Sequence, residues 1–278
     1  MAAKVWHVLR QLPWYSLMLV AVFAIGLPLF WVATGSLKTT REIYTFPPVW
    51  LPQHPRWDNF SAAWHAAPFG RFYLNSIIVT LADTAAKLFF ALTTAYALVF
   101  LNIRGRNLVF LFVLAALFVP VQVTLLPNYL TVGRLGWINT YFGLIVPMMP
   151  VAFGTFLFRQ HFRTLSREVL DAAVIDGCGH WRLLWDVVLP MSRPVAVTVG
   201  LLALVGRWND FLWPLVVTNT VEMRTLPVGI TYLYQVEGVQ NWGPIFAGTL
   251  FVMVPVLLLY IVAQRWIVSG ITSGAVKG

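Results

Sequence analysis

The chain is 278 residues long, 59% hydrophobic and only 10% charged, against roughly 25% charged in an ordinary soluble domain. That balance, with 13 Trp and 20 Phe, excludes a soluble globular or disordered protein and reads as an integral membrane protein. The single cysteine, Cys178, leaves no intramolecular disulfide, no C-x-x-C and no Cys/His cluster for zinc, and the net charge of +9 is too dispersed for a nucleic-acid patch.

In chain order, hydrophobic segments are expected near 14–36, 72–100, 108–130, 139–159, 195–218 and 243–268. Six spans of about 20 residues use roughly half of the chain, which leaves one transmembrane domain over 1–278 and no room for a large soluble one. The first segment follows Lys4 and Arg10 like a secretory signal, but its apolar run is longer than a signal core and no small-x-small site ends it, so it is read as a retained span. With both termini inside, Lys4, Arg10, Arg104, Arg106, Arg159, Arg163, Arg167, Arg182, Arg193, Arg265 and Lys277 fall on the cytoplasmic side. Lys38, Arg41, Arg56, Arg71, Arg134 and Arg224 fall outside, and eleven against six obeys the positive-inside rule.

Two connections exceed what a turn needs. Residues 37–71 carry FPPVWLPQHP, whose prolines at 47, 48, 52 and 55 forbid a regular helix and whose Trp50, with Trp57 further on, suits a membrane interface. The cytoplasmic connection, 160–194, contains REVLDAAVIDGCGHWRLLWDVVLPMSRP from Arg167 to Pro194. Its pattern is helix, break, helix. Val169, Leu170, Ala172, Ala173 and Ile175 make a short apolar face, Gly177 and Gly179 permit a reversal, and Trp181, Leu184, Trp185 and Val188 recur at i, i+3, i+4, i+7. Pro190 and Pro194 are expected to end the second helix. Glu168, Asp171 and Asp176 are out of place on a helix wholly devoted to lipid, and Ala172 and Ala173 let another backbone approach closely. The residues alone admit two readings, an interfacial helix that caps the bundle or a docking device for a partner.

The spacing Asp171-Ala172-Ala173, three residues, Gly177, nine residues, Val187-x-Leu189-Pro190 resembles the EAA loop of ABC importer permeases, with Asp171 in place of the family's Glu and Val187 in place of its usual Ile. GSLKTTREIY (35–44), WDNF (57–60), FYLNSIIVT (72–80), RWNDFLWPL (207–215) and QRWIVSGITSGAVKG (264–278) resemble, in the same order, the second permease subunit of carbohydrate-uptake ABC importers. YALVF (96–100), VAFGTFLFRQHF (151–162), RTLPVGITYL (224–233) and VQNWGP (239–244) are similar to its glycerol-3-phosphate type; the branch also includes maltose systems. The resemblance implies an all-α, six-span type I importer fold in a bacterial inner membrane, transporting a sugar or a glycerol-3-phosphate-like solute. It implies a second related permease, two cytoplasmic ATPase subunits that use ATP and magnesium, and an extracytoplasmic solute-binding protein. This chain itself would hold no cofactor. Glu168, Asp171, Ala172, Ala173, Asp176 and Gly177 would form the ATPase-docking core, with the acidic arm of Asp171 one methylene shorter than the family's.

Ionisable residues inside spans are costly and ask for a reason. Asp83 and Lys87 stand at i, i+4 and Arg207 and Asp210 at i, i+3, spacings that allow intrahelical ion pairs. Asp83 and Lys87 are read as a structural pair. Arg207, Trp208, Asn209 and Asp210, near a helix-bending Pro214, admit a structural reading and a solute-path reading; Arg207 then either neutralises Asp210 or attracts an anionic solute. Asn75, Gln122 and Asn128 lie within or at the ends of spans; Asn75 and Gln122 join the candidate path. An intramembrane enzyme finds no support, because the chain lacks G-x-x-x-x-G-K-[ST], H-E-x-x-H and G-x-S-x-G, and His7, His54, His65, His161 and His180 have no acid or metal partner by spacing. A passive channel would have no use for an EAA-like loop.

Overall fold

The computed structural model describes residues 2–149, 152–237 and 241–275, with side chains described for residues 11, 13–149, 152–234 and 241–264. Lys4, Arg10, Arg265 and Lys277, and the GAVKG ending, therefore lie outside the described side chains. Among the described residues every regular element is a helix. Three helices are long and apolar enough to cross a membrane alone, within Pro13–Gly35, Phe69–Phe100 and Trp242–Gln264; the number reaches six if each of three bent pairs forms one span. The fold is all-α and matches the expected class. The chain divides into two compact units, Met1–Pro68 with Ile230–Val254, and Phe69–Gly229 with Pro255–Gly278.

In the first unit α1 (Ala2–Gly35) turns nearly every side chain from Trp14 to Ile25 outward, as an apolar helix does where its solvent is lipid. The chain after it is fixed by backbone capture: Asn59 Nδ2 donates to the carbonyls of Ser36 (2.9 Å) and Lys38 (3.0 Å). The short α2 (Thr40–Tyr44) starts with a capping box, in which Glu42 accepts from the Thr39 amide and the Thr39 hydroxyl accepts from the Glu42 amide. A second Glu42 oxygen accepts from the Gln53 amide (2.8 Å), pinning part of the proline-rich stretch that, as expected, holds no helix between α2 and α3 (Asp58–Ala66). Although partial burial works the other way, these hydrogen bonds hold the Glu42 carboxyl below the usual carboxylate range. Lys38, counted above among outer-loop charges, is fully buried, with Nζ 4.0 Å from the centroid of the Trp31 ring. Burial lowers its pKa, partly offset by Glu42. Charge counting treats every lysine as solvated, and here an indole face replaces the water.

In the second unit α4 (Phe69–Phe100) is the central span. It packs against α8 (Ala152–Phe162) and α12 (Arg193–Trp208). The span expected over 108–130 is broken. α5 (Arg106–Ala115), with a 3-10 turn to Phe118, meets α6 (Val121–Arg134) at 98°. Pro120 is the cause, since it lacks the N–H that would continue the helix and restricts Val119, which is extended at ψ 114. α7 (Tyr141–Ile145) and α8 share the fourth segment. The fifth, expected over 195–218 with a kink near Pro214, stops at Trp208 and resumes as α13 (Leu212–Val217). Pro214 removes the hydrogen bond to the Asp210 carbonyl four residues back, so the expected kink becomes a gap of three residues. The described chain ends with α14 (Leu226–Glu237) and α15 (Trp242–Ala275).

Candidate functional site

The connection over 160–194 folds as helix, break, helix. α9 (Arg167–Ile175) ends in a Schellman turn: the Gly177 amide donates to Val174 O (3.0 Å) and the Cys178 amide to Ala173 O (3.0 Å). Gly177 sits at φ +83, the left-handed region that an L side chain occupies at a cost of about 1–2 kcal/mol. The space around a Cβ there is open, so the constraint is the backbone torsion and not a clash. The second half runs from His180 to Met191 and is wound as a π-helix between Leu183 and Val188, between α10 (His180–Arg182) and α11 (Leu189–Met191). The Leu189 amide reaches back five residues to Leu184 O. This widened turn changes which residues face inward. Leu183, Leu184 and Val188 are buried, while Trp181 and Trp185, expected on the same apolar face, are 64% and 40% exposed. Pro190 lies inside α11 instead of ending the helix, and Pro194 stands in the first turn of α12.

α9 likewise divides its apolar residues between two faces. Leu170 and the partly buried Ala173 pack into a core with Ala91, Tyr96, Phe158, Phe162 and Val188, so the loop is built onto spans two and four. Val169, Ala172, Val174 and Ile175 point outward with Glu168, Asp171, Asp176 and Gly177, and Ile175 is 85% exposed. Five of the six candidate docking residues are thus exposed and Ala173 is half-buried. A further tie was not legible from spacing: the Tyr96 hydroxyl lies 3.0 Å from His180 Nδ1 and links α4 to the residue after the glycine turn.

The second polar region lies within the spans. Arg207 is buried, and its guanidinium is shared between the Asp210 carboxylate and the Leu144 carbonyl. Trp213 Nε1 donates to the adjacent Gly143 carbonyl (3.0 Å), so two side chains of the fifth segment hold the α7 backbone. A Cβ at Gly143 would stand 2.2 Å from Trp137 O, so only glycine lets the chain pass there. Trp208 is buried beside Tyr73, with ring centroids 6.4 Å apart. Asn209 is exposed and bonds back to Val205 O (2.9 Å). On α4, Lys87 Nζ meets Asp83 Oδ2 at 2.8 Å; the Asp83 side chain is fully buried and that of Lys87 is 17% exposed.

Two cavities flank this cluster. One of about 250 Å³ has Lys87, Gly154, Gly206, Arg207 and Asp210 in its wall; another of about 310 Å³ has Gln122, Asn209 and Asp210. Asp210 borders both. Asn75 and Trp208 border neither. Asn75 is wholly buried, donates to the carbonyls of Glu222 (2.7 Å) and Arg224 (2.9 Å), and accepts from the Tyr141 hydroxyl (2.7 Å). It thereby ties α4 to the backbone at Glu222 and Arg224 and to Tyr141 of α7. Spacing had shown Lys87 only as the partner of Asp83; that it also faces a cavity follows from how α4, α8 and α12 pack.

The chain belongs to the family of binding-protein-dependent transport system inner membrane components, whose model matches residues 87–273. It is 32% identical to the sn-glycerol-3-phosphate transport system permease protein UgpE of Yersinia pestis bv. Antiqua (strain Antiqua), over 92% of this chain and 94% of that one. It is 33% identical to the arabinooligosaccharides transport system permease protein AraQ of Bacillus subtilis (strain 168), over 90% of each. The fold is similar to a chain of a bacterial ABC transporter involved in the import of the acidic polysaccharide alginate, with TM-score 0.78, 22% identity, and coverage of 95% of this chain and 97% of that one.

Proposed function

We propose that this chain is a transmembrane permease subunit of an ATP-driven, binding-protein-dependent importer for a sugar or a glycerol-3-phosphate-like solute. The observation that carries the reading is the outward face of α9, where Val169, Ala172 and Ile175 stand exposed among Glu168, Asp171 and Asp176 beside a rigid Gly177 turn. Such a face leaves apolar area in water unless a protein covers it. The occupant is a cytoplasmic ATPase subunit, which consumes ATP and magnesium while this chain binds neither. A second permease, a second ATPase and an extracytoplasmic binding protein complete the assembly in the inner membrane, with both termini of this chain in the cytoplasm. Closing of the ATPase pair moves the docking loops together, and the loop's core contacts with α4 and α8 carry that motion into the spans. The nearly equal identities to a glycerol-3-phosphate permease and an arabino-oligosaccharide permease support an oligosaccharide as the second reading of the solute.

Orientation is tested at Cys178, which is partly exposed beside the turn. A membrane-impermeant maleimide should label it in inverted vesicles stripped of the ATPase and not in intact cells. Labelling of intact cells would overturn the cytoplasmic placement of the loop and with it the ATPase docking.

A further inference from the structure

Two ion pairs stand at the cavity of about 250 Å³, Lys87 with Asp83 and Arg207 with Asp210, and within them the charges cancel. They differ in access. Asp83 is fully buried and only 2% of the Arg207 side chain is exposed, whereas Lys87 (17%) and Asp210 (23%) keep part of their side chains open. Both open members border the cavity of about 250 Å³. An ammonium has three donors and one is directed at Asp83; a carboxylate has about four acceptor sites, of which Arg207 takes a share. The cavity therefore presents a donor and an acceptor together. Phe153 adds an aromatic face, and Gly154 and Gly206 add no side-chain bulk.

From this we propose that Lys87 and Asp210 are solute-contacting residues, and that the solute they accept is an uncharged, hydroxyl-rich molecule, one sugar or polyol unit at a time. The proposal rests on the importer reading above and narrows its solute. A hydroxyl both donates and accepts, so it satisfies Lys87 and Asp210 at once without changing the charge of the site. A phosphate would lie against the Asp210 carboxylate with no net positive charge to offset the loss of its own hydration. Arg207, the obvious phosphate ligand by sequence, directs its two terminal nitrogens at Asp210 and the Leu144 carbonyl, and its remaining nitrogen, Nε, is buried out of a solute's reach. The volume lies below the roughly 300–1,000 Å³ usual for larger ligands, which suits a single ring.

The test uses the whole transporter, with its partner permease, ATPase and binding protein, in proteoliposomes. The probes are L-arabinose, arabinotriose, maltotriose and sn-glycerol-3-phosphate. Wild type should accumulate at least one neutral probe, and Lys87→Met, like Arg207→Met/Asp210→Asn, which removes Asp210 without stranding its buried cation, should raise the KM for that probe at least tenfold. Because Lys87→Met strands Asp83, the paired variant Asp83→Asn/Lys87→Met is measured beside it and should show the same rise in KM. An unchanged KM in the paired variant overturns the contact role of Lys87. Failure of both Lys87 variants to assemble marks the pair as structural and overturns it too. Preferred uptake of glycerol-3-phosphate overturns the neutral-solute assignment while the importer reading stands, and ATP-independent equilibration of every probe sinks the importer reading itself.

Discussion

The loop built on α9 and the charged segment of the fifth span interrupt the same apolar chain with similar residues, and the protein treats them in opposite ways. On α9 the acids Glu168, Asp171 and Asp176 stand exposed beside apolar side chains that also stand exposed. Around Arg207 the cation is buried and its two terminal nitrogens go to Asp210 and Leu144 O. The difference teaches which region is finished. A buried charge must be satisfied within the fold because water cannot reach it, while an exposed apolar face can wait for a partner. Mutations that strand the buried Arg207 should therefore damage the fold, and mutations in the loop should damage coupling.

The largest effect is expected from Arg207→Met. It leaves Asp210 without its cation and the Leu144 carbonyl without its donor, and breaking one side of a buried pair costs about 3–5 kcal/mol. Detergent-solubilised complex should lose this subunit, and Arg207→Met/Asp210→Asn should recover much of the assembly. No recovery would show that the Leu144 contact, and not the ion pair, carries the burial.

An intermediate effect is expected in the loop. Gly177→Val forces a β-branched residue to φ +83 and should lower uptake at least tenfold while the subunit remains inserted. Gly177→Asn, which tolerates the left-handed region, should retain more uptake than Val. Equal loss in both variants would mean that the partner's approach at Gly177, not the torsion, sets the requirement.

The smallest effect sharpens the boundary between the two regions. Tyr96→Phe removes the hydroxyl that meets His180 but keeps the ring in the core shared by α4, α8 and the loop. A single neutral hydrogen bond is worth about 0.5–1.5 kcal/mol, so thermal stability should fall slightly. Uptake per ATP hydrolysed should fall more than stability does if the bond steadies the loop against α4. A proportional change in both would reduce the bond to packing.

The sequence by itself determined the membrane class, the positions of most apolar segments, the glycine turn and the exposed acids of α9. Each of these follows from local chemistry: long apolar runs need lipid, and Gly177 is the residue that reaches φ +83 without strain. It also showed that Asp83 with Lys87 and Arg207 with Asp210 can pair, because i, i+4 and i, i+3 spacings put them on one helix face. Tertiary structure alone decided what those pairs face. Whether Lys87 meets a cavity depends on α8 and α12, whether Arg207 is free depends on a carbonyl 63 positions earlier, and whether Asn75 lines a path or binds backbone depends on Glu222 and Arg224. The π winding from Leu183 to Val188 likewise breaks the 3.6 period, and Trp181 and Trp185, which that period placed inside, stand exposed. A periodicity presumes one helical geometry and one neighbour, and in a bundle both are set by residues far away along the chain.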